Sequence, residues 1–137
     1  MRPVKSVVLL DAPEGAGEFD EETLERMGHE VIVCHGPEQK HLCPILKKGG
    51  GCELVEQAHG IVFELDLDRP MHRAILRRYQ EVVKEGIPIR ALIRPGQAEK
   101  YADTLAGVET WTHEPSVGEL DAFSARVEGY ERTAEEE

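Results

Sequence analysis

Five short apolar runs, each separated from the next by a stretch with helical spacing of apolar residues, constrain the fold more than any other feature. Such runs, rich in β-branched residues and bounded by glycine, proline or aspartate, are typical of buried strands. Strands that alternate with helices form parallel sheets with helices on both faces. We predict an α/β fold, a doubly wound five-stranded parallel sheet in the order 2-1-3-4-5 with three αβα layers. The predicted strands are 4–10, 29–34, 61–67, 87–93 and 108–112.

The stretches between the runs carry start and stop signals for helices. Asp20 is a candidate N-cap for the first helix, and Pro70 is suited to the start of the longest one. Ser116 and Glu119 have the spacing of a capping box, which predicts the start of the last helix. The predicted helices are 21–27, a short one ending near 58, 71–84, 97–105 and one that begins after 116.

Length and charge limit the organisation of the chain and its partners. The 137 residues predict a single domain over 1–130, followed by an acidic C-terminal tail over 131–137. The 27 acidic residues outnumber the 16 Lys and Arg, so the net charge of -11 repels phosphate backbones and anionic membranes. We therefore expect no nucleic acid and no membrane as a partner. No signal peptide or membrane-spanning run is evident, so we expect a cytoplasmic protein with reduced thiols.

The predicted topology places several polar residues at one edge of the sheet. In parallel α/β sheets, ligands bind beyond the carboxyl ends of the strands. We call this edge, formed by the residues that follow the strands, the strand-end rim. Its predicted members with acidic, basic or imidazole side chains are Asp11, Glu14, Asp66, Asp68, Arg94, His113 and Glu114, with Cys34 beside them.

Two motifs give the chain a likeness to a known family. The segment 7–13 (VVLLDAP) ends its apolar run with Asp11, and Asp66 stands at the end of the third run, four residues before Pro70. With the segment 24–31, these motifs resemble a response-regulator receiver domain, which has a flavodoxin-like fold, over roughly 4–130. The resemblance implies that Asp66 is equivalent to the phosphoacceptor aspartate, and that Asp11 helps to hold Mg²⁺ together with Asp66.

Three positions depart from the pattern of receivers. Ala12 stands where receivers usually carry a second acid, and Arg94 stands where they carry Ser or Thr. Glu114 replaces the lysine that precedes a proline, which puts a negative charge where a phosphoryl group needs a positive one. We therefore expect a degenerate receiver-like regulatory domain that acts by binding and lacks competent phosphotransfer. It would present its rim, and the cysteine-containing segment that follows the second predicted strand, to a protein partner or a small ligand, with a homo-oligomer also compatible with the sequence.

A cysteine-containing insertion follows the second predicted strand. Cys34, Cys43 and Cys52 are evenly spaced, with His35 and His41 close by. Thiolates and imidazoles are zinc ligands, and three thiolates also suit an iron-sulfur cluster, so this cysteine loop is a candidate metal site. The paired CxxC spacing of strong metal motifs is absent. Redox-sensing thiols, and cysteines that only pack as small apolar side chains, remain alternatives.

A further alternative is a small α/β enzyme of unnamed substrate. Asp66, Asp68, His72 and His113 are candidate acids or bases near the strand-end rim. No nucleophile motif accompanies them, so the sequence predicts no reaction class.

Overall fold

The computed structural model of the chain describes residues 6–13, 15–35, 53–83 and 86–136. Within these ranges five strands form a single sheet in which every pairing is parallel. The predicted α/β class and strand order are confirmed, because the order across the sheet is second, first, third, fourth, fifth. The strands are β1 Val7–Asp11, β2 Glu30–Cys34, β3 Gly60–Phe63, β4 Ile89–Leu92 and β5 Glu109–Trp111.

Helices cover both faces of the sheet, which gives the predicted three layers. One core cluster lies between the sheet and the first and last helices, and a second lies on the opposite face. Strands β1 and β3 are buried along their whole length because helices pack on both of their faces. The helices are α1 Glu18–Arg26, α2 Glu53–Gln57, α3 Pro70–Val82, α4 Gln97–Lys100 and α5 Val117–Glu136.

Strand β3 ends earlier than the apolar run that predicted it. The run over 61–67 suggested a strand that reaches Asp66, but β3 ends at Phe63. Leu65 and Leu67 lie beyond the strand and are still buried, at 2% and 1% exposed. Their burial continues the apolar pattern into the loop, so Asp66 belongs to the β3–α3 loop and does not end the strand.

Helix α1 begins before the predicted position. Gly17 is its N-cap, with a φ of 84° that favours glycine, and the helix starts at Glu18. Asp20 therefore lies in the first turn and is buried, with 4% of its surface exposed, so the N-cap prediction for Asp20 is wrong.

The capping box at the start of α5 is present as predicted. The Ser116 N–H donates to Glu119 Oε1 at 3.1 Å, and the Glu119 N–H donates to Ser116 Oγ at 3.2 Å. The helix continues through Glu136, so the backbone of the acidic segment 131–136 is helical. Among the helices of the described ranges, none has the length and apolar character needed to cross a bilayer.

The contact between β3 and α5 gives a first prediction. A Cβ at Gly60 would lie 2.6 Å from Val127 Cγ2 and 3.1 Å from Phe123 Cζ. Gly60→Ala therefore forces α5 away from the sheet and should lower the free energy of unfolding by about 1–3 kcal/mol, measured by urea denaturation. The control is Gly129→Ala, whose Cβ would meet nothing within 4 Å in α5 and should stabilise the helix by about 0.5–1 kcal/mol. Equal stability of the two variants would contradict this packing.

Candidate functional site

The parallel ladder brings the ends of neighbouring strands together at the strand-end rim. The Ala12 N–H donates to the Cys34 carbonyl at 3.0 Å, and the Glu64 N–H donates to the Asp11 carbonyl at 2.6 Å. On the other side of the sheet the Ile93 N–H donates to the carbonyl of the last residue of β5 at 2.8 Å. The residues that follow β1, β3 and β4 therefore lie at one edge of the molecule.

An ion-pair network joins the β3–α3 loop to α4. Arg94 Nη2 donates to Asp66 Oδ1 at 2.7 Å and also to Asp68 Oδ2. The Tyr101 hydroxyl donates to Asp68 Oδ1 at 2.6 Å, and Lys100 Nζ lies 3.8 Å from the same oxygen. The structure thus brings together three of the residues predicted for the rim, Asp66, Asp68 and Arg94.

Both aspartates of this network are stabilised as carboxylates. The Asp68 N–H donates to Asp66 Oδ1 at 3.0 Å, and this hydrogen bond, together with the charge of Arg94, lowers the pKa of Asp66. The Tyr101 hydroxyl is the largest cause of the lowered pKa of Asp68, and Arg94 and Lys100 add to it. At neutral pH both groups are therefore negatively charged and both already have hydrogen-bond donors.

Asp11 has different partners from Asp66. It is 1% exposed, and its carboxyl interacts with the Tyr79 hydroxyl of α3 and the Cys34 thiol of β2. Burial raises the pKa of Asp11 to about 7, although these two donors act in the opposite direction. Asp11 therefore lies beneath the rim, on the face of the sheet that α3 covers, where burial favours the protonated acid.

Glu64 is a site residue that the sequence analysis missed. It directly follows β3 and lies beside Ala12, and one of its carboxyl oxygens is fully buried. Burial raises the pKa of Glu64 to about 9, and the hydrogen bond and charge of Asp20, followed by the charge of Glu114, raise it further. The available signal was an acidic residue inside an apolar run, which implies a buried carboxyl that needs a proton or a partner.

The segment after β5 provides the last two rim residues. His113 Nε2 lies 2.9 Å from Glu119 Oε1, so the imidazole extends the capping box of α5. Both His113 and Glu114 are exposed, and both line an open cavity of about 420 Å³ at the ends of β3, β4 and β5. The other residues that line it are Leu65, Asp66, Leu92, Ile93, Arg94, Pro95, Gln97 and Thr112.

The residues that the resemblance assigns to Mg²⁺ do not fit a magnesium site. Asp11 is buried and holds a proton through part of the neutral range, and Asp66 is paired with Arg94. Ala12 offers no oxygen ligand in its side chain. Within the described ranges, no group of three or more His, Cys, Asp or Glu side chains is arranged to hold a metal ion.

Only part of the cysteine loop lies within the described residues. Cys34 ends β2, is half-buried and packs against the core cluster on the α3 face. His35 Nδ1 lies 3.0 Å from the Ala12 carbonyl oxygen. Cys43, Cys52 and His41 fall outside the described residues, so zinc, iron-sulfur and redox chemistry at this loop stay predictions.

The two raised pKa values predict an unusual dependence of stability on pH. For Asp11 and Glu64 the folded-state pKa lies above the ordinary values of 3.8 and 4.5, so folding favours the protonated acids. This contribution is complete below about pH 4 and is lost as the pH rises through about 7 for Asp11 and about 9 for Glu64. The free energy of unfolding should therefore fall between pH 5 and pH 8, by an amount on the order of a few kcal/mol from Asp11.

Asp11→Asn is the test variant, because an amide stays neutral at every pH. Urea denaturation at a series of pH values should show a flatter profile between pH 5 and pH 8 for Asp11→Asn than for the wild type. Glu22→Gln, at an exposed position of α1, is the matched control and should keep the wild-type profile. Identical profiles for all three proteins would contradict the buried acid at the end of β1.

The fold of this chain is similar to that of proteins with solved structures. No family model and no curated protein matches the chain. Solved structures do match it over most of its length, with low sequence identity. A response regulator from Burkholderia multivorans is 19% identical and has a TM-score of 0.60, with 92% of this chain and 96% of that chain covered.

Two further structures show the same likeness. A CheY-like receiver domain protein from Methanospirillum hungatei is 15% identical with a TM-score of 0.65, and the match covers 96% of this chain and 99% of that one. A receiver domain protein from Clostridium thermocellum is 11% identical with a TM-score of 0.64, over 96% and 98% of the two chains. The chain has the flavodoxin-like fold of a response-regulator receiver domain.

Proposed function

We propose that this chain is a receiver-like regulatory domain that acts by binding a partner at its strand-end rim, without competent phosphotransfer. The observation that carries the proposal is the pairing of Arg94 with Asp66 and Asp68. The aspartate that corresponds by motif to the phosphoacceptor is thereby held by a guanidinium group of its own chain.

The chemistry of phosphotransfer explains why this pairing matters. Transfer to a carboxylate needs a nucleophilic oxygen, a divalent cation and positive groups around the phosphoryl oxygens. Asp66 Oδ1 accepts from Arg94, from the Asp68 N–H and, at 3.4 Å, from Gln97. These donors lower the nucleophilicity of this oxygen, and a cation that binds it would compete with the charge of Arg94.

The other acids near the end of β3 do not replace the missing parts. Glu64 has a pKa of about 9 and is therefore mostly protonated at neutral pH, which makes it a poor nucleophile. Glu114 is exposed beside the cavity and repels an incoming phosphodonor. The charge of Arg94 is already shared between two carboxylates, which weakens its attraction for a phosphoryl group.

Binding remains the role that suits this rim. Charged side chains with defined partners surround an open cavity, and receiver-type folds present residues of this edge to other molecules. The proposed partner is a protein or a small ligand. The cysteine loop begins beside the rim at Cys34, and we include it in the binding surface.

The absence of phosphotransfer is tested by incubation with Mg²⁺ and acetyl phosphate, followed by intact mass spectrometry. We expect an unchanged mass, because Asp66 is paired with Arg94. A phosphorylation-competent receiver domain, treated in parallel, shows that the donor and the cation are active. Stoichiometric addition of a phosphoryl group that disappears in Asp66→Asn would overturn the proposal.

A further inference from the structure

The cavity at the rim combines an apolar wall with a charged opening, which we call the mouth. Its wall includes residues of the β3–α3 loop, residues at and just after the end of β4, and the residue that follows β5. They are Leu65, Leu92, Ile93, Pro95 and Thr112. Asp66, Arg94, His113 and Glu114 contribute the polar part of the lining. The volume of about 420 Å³ is sufficient for a long side chain but small for a whole folded element.

The cations of the mouth already have partners. Arg94 is shared between Asp66 and Asp68, and Lys100 lies beside Asp68, so these two cations balance the two aspartates. His113 Nε2 lies within hydrogen-bond distance of the Glu119 carboxylate of the capping box. The charges of Arg94 and Lys100 are therefore balanced by carboxylates of this chain.

Glu114 is the charge of the mouth that lacks a partner of opposite sign. Among the ion pairs of the described ranges, none includes Glu114, although the residue is exposed and lines the cavity. Its electrostatic neighbour is Glu64, another acid, whose pKa is raised partly by the charge of Glu114. The mouth therefore carries an unpaired negative charge on the side of the β5–α5 loop, where a cation would find a carboxylate partner.

An apolar wall beside an unpaired carboxylate matches the chemistry of lysine and arginine side chains. Both have an aliphatic stem that packs against apolar surface and a charged head that stays at the polar end. The acidic character of the whole chain, with a net charge of -11, favours the approach of a basic segment.

We propose that the cavity receives a lysine or arginine side chain from a partner protein, with the aliphatic stem against Leu92 and Pro95 and the cationic head at Glu114. This inference rests on the proposed function, because it takes the strand-end rim as the binding surface. It adds the chemical class of the partner: a basic segment instead of an acidic or phosphorylated one.

The test uses short capped peptides, Ac-Gly-Ser-X-Ser-Gly-NH₂, in which X is Lys, Arg, norleucine or Glu. Binding is followed by ¹H–¹⁵N NMR at physiological ionic strength, with chemical-shift changes expected at Leu92, Thr112 and Glu114. We expect the Lys and Arg peptides to bind about fivefold or more tightly than the norleucine peptide, since norleucine keeps the stem and lacks the charge. The Glu peptide should not bind.

Two charge-reversal variants separate the cavity from the general field of the protein. Glu114→Lys should weaken the Lys peptide about tenfold, because the mouth becomes positive. Glu128→Lys makes the same change of charge at an exposed position of α5 and should stay within about twofold of the wild type. Circular dichroism confirms that both variants, which alter exposed residues, remain folded.

Three results would overturn the inference: equal binding of the Lys and norleucine peptides, equal losses in the two variants, or shift changes outside the cavity. Spermidine that binds the cavity as tightly as the Lys peptide would also overturn the assignment to a protein partner.

These outcomes are distinct from a failure of the proposed function, which would appear as a phosphoryl group on Asp66 in the mass experiment. Loss of peptide binding in an unphosphorylated chain contradicts the basic partner alone.

Discussion

The burial of β1 and β3 on both faces is the constraint on which the rest of the structure depends. The neighbouring strands run parallel, and the helices that connect them cover both sides of these strands. Parallel pairing then brings every strand end to the same edge. Residues far apart in the chain, such as Asp66 and Arg94, become neighbours there without any local sequence signal that links them.

The same burial decides the charge state of each acid at this edge. Asp11 and Glu64 lie where desolvation dominates, so their pKa values rise and they hold protons into or beyond the neutral range. Asp66 and Asp68 lie in the exposed β3–α3 loop and gain hydrogen-bond donors, so their pKa values fall. The rim therefore has buried acids with raised pKa values beneath it and paired carboxylates with lowered pKa values at its surface.

The sequence was sufficient for the architecture, because periodicity and capping are local properties. The Ser116–Glu119 capping box follows from a four-residue segment, and the strand order follows from the crossover rules for strands that alternate with helices. The end of β3 did not, because Leu65 and Leu67 are buried in the loop and extend the apolar pattern. Of the candidate site, the sequence placed Asp66, Asp68 and Arg94 at one edge. It could not predict Tyr101 as a donor or Asp20 as the partner of Glu64, because those contacts depend on helix packing.

The central claim is that the carboxyl groups near the end of β3 are unsuited to phosphotransfer, one because it is paired and the other because it is protonated. Carboxyl ¹³C NMR titration measures both groups in one experiment. The account predicts that Asp66 titrates below 3.8 and that Glu64 titrates near 9, and that Arg94→Ala raises the pKa of Asp66 only. An ordinary pKa for Glu64, together with an Asp66 that does not respond to the loss of Arg94, would contradict it.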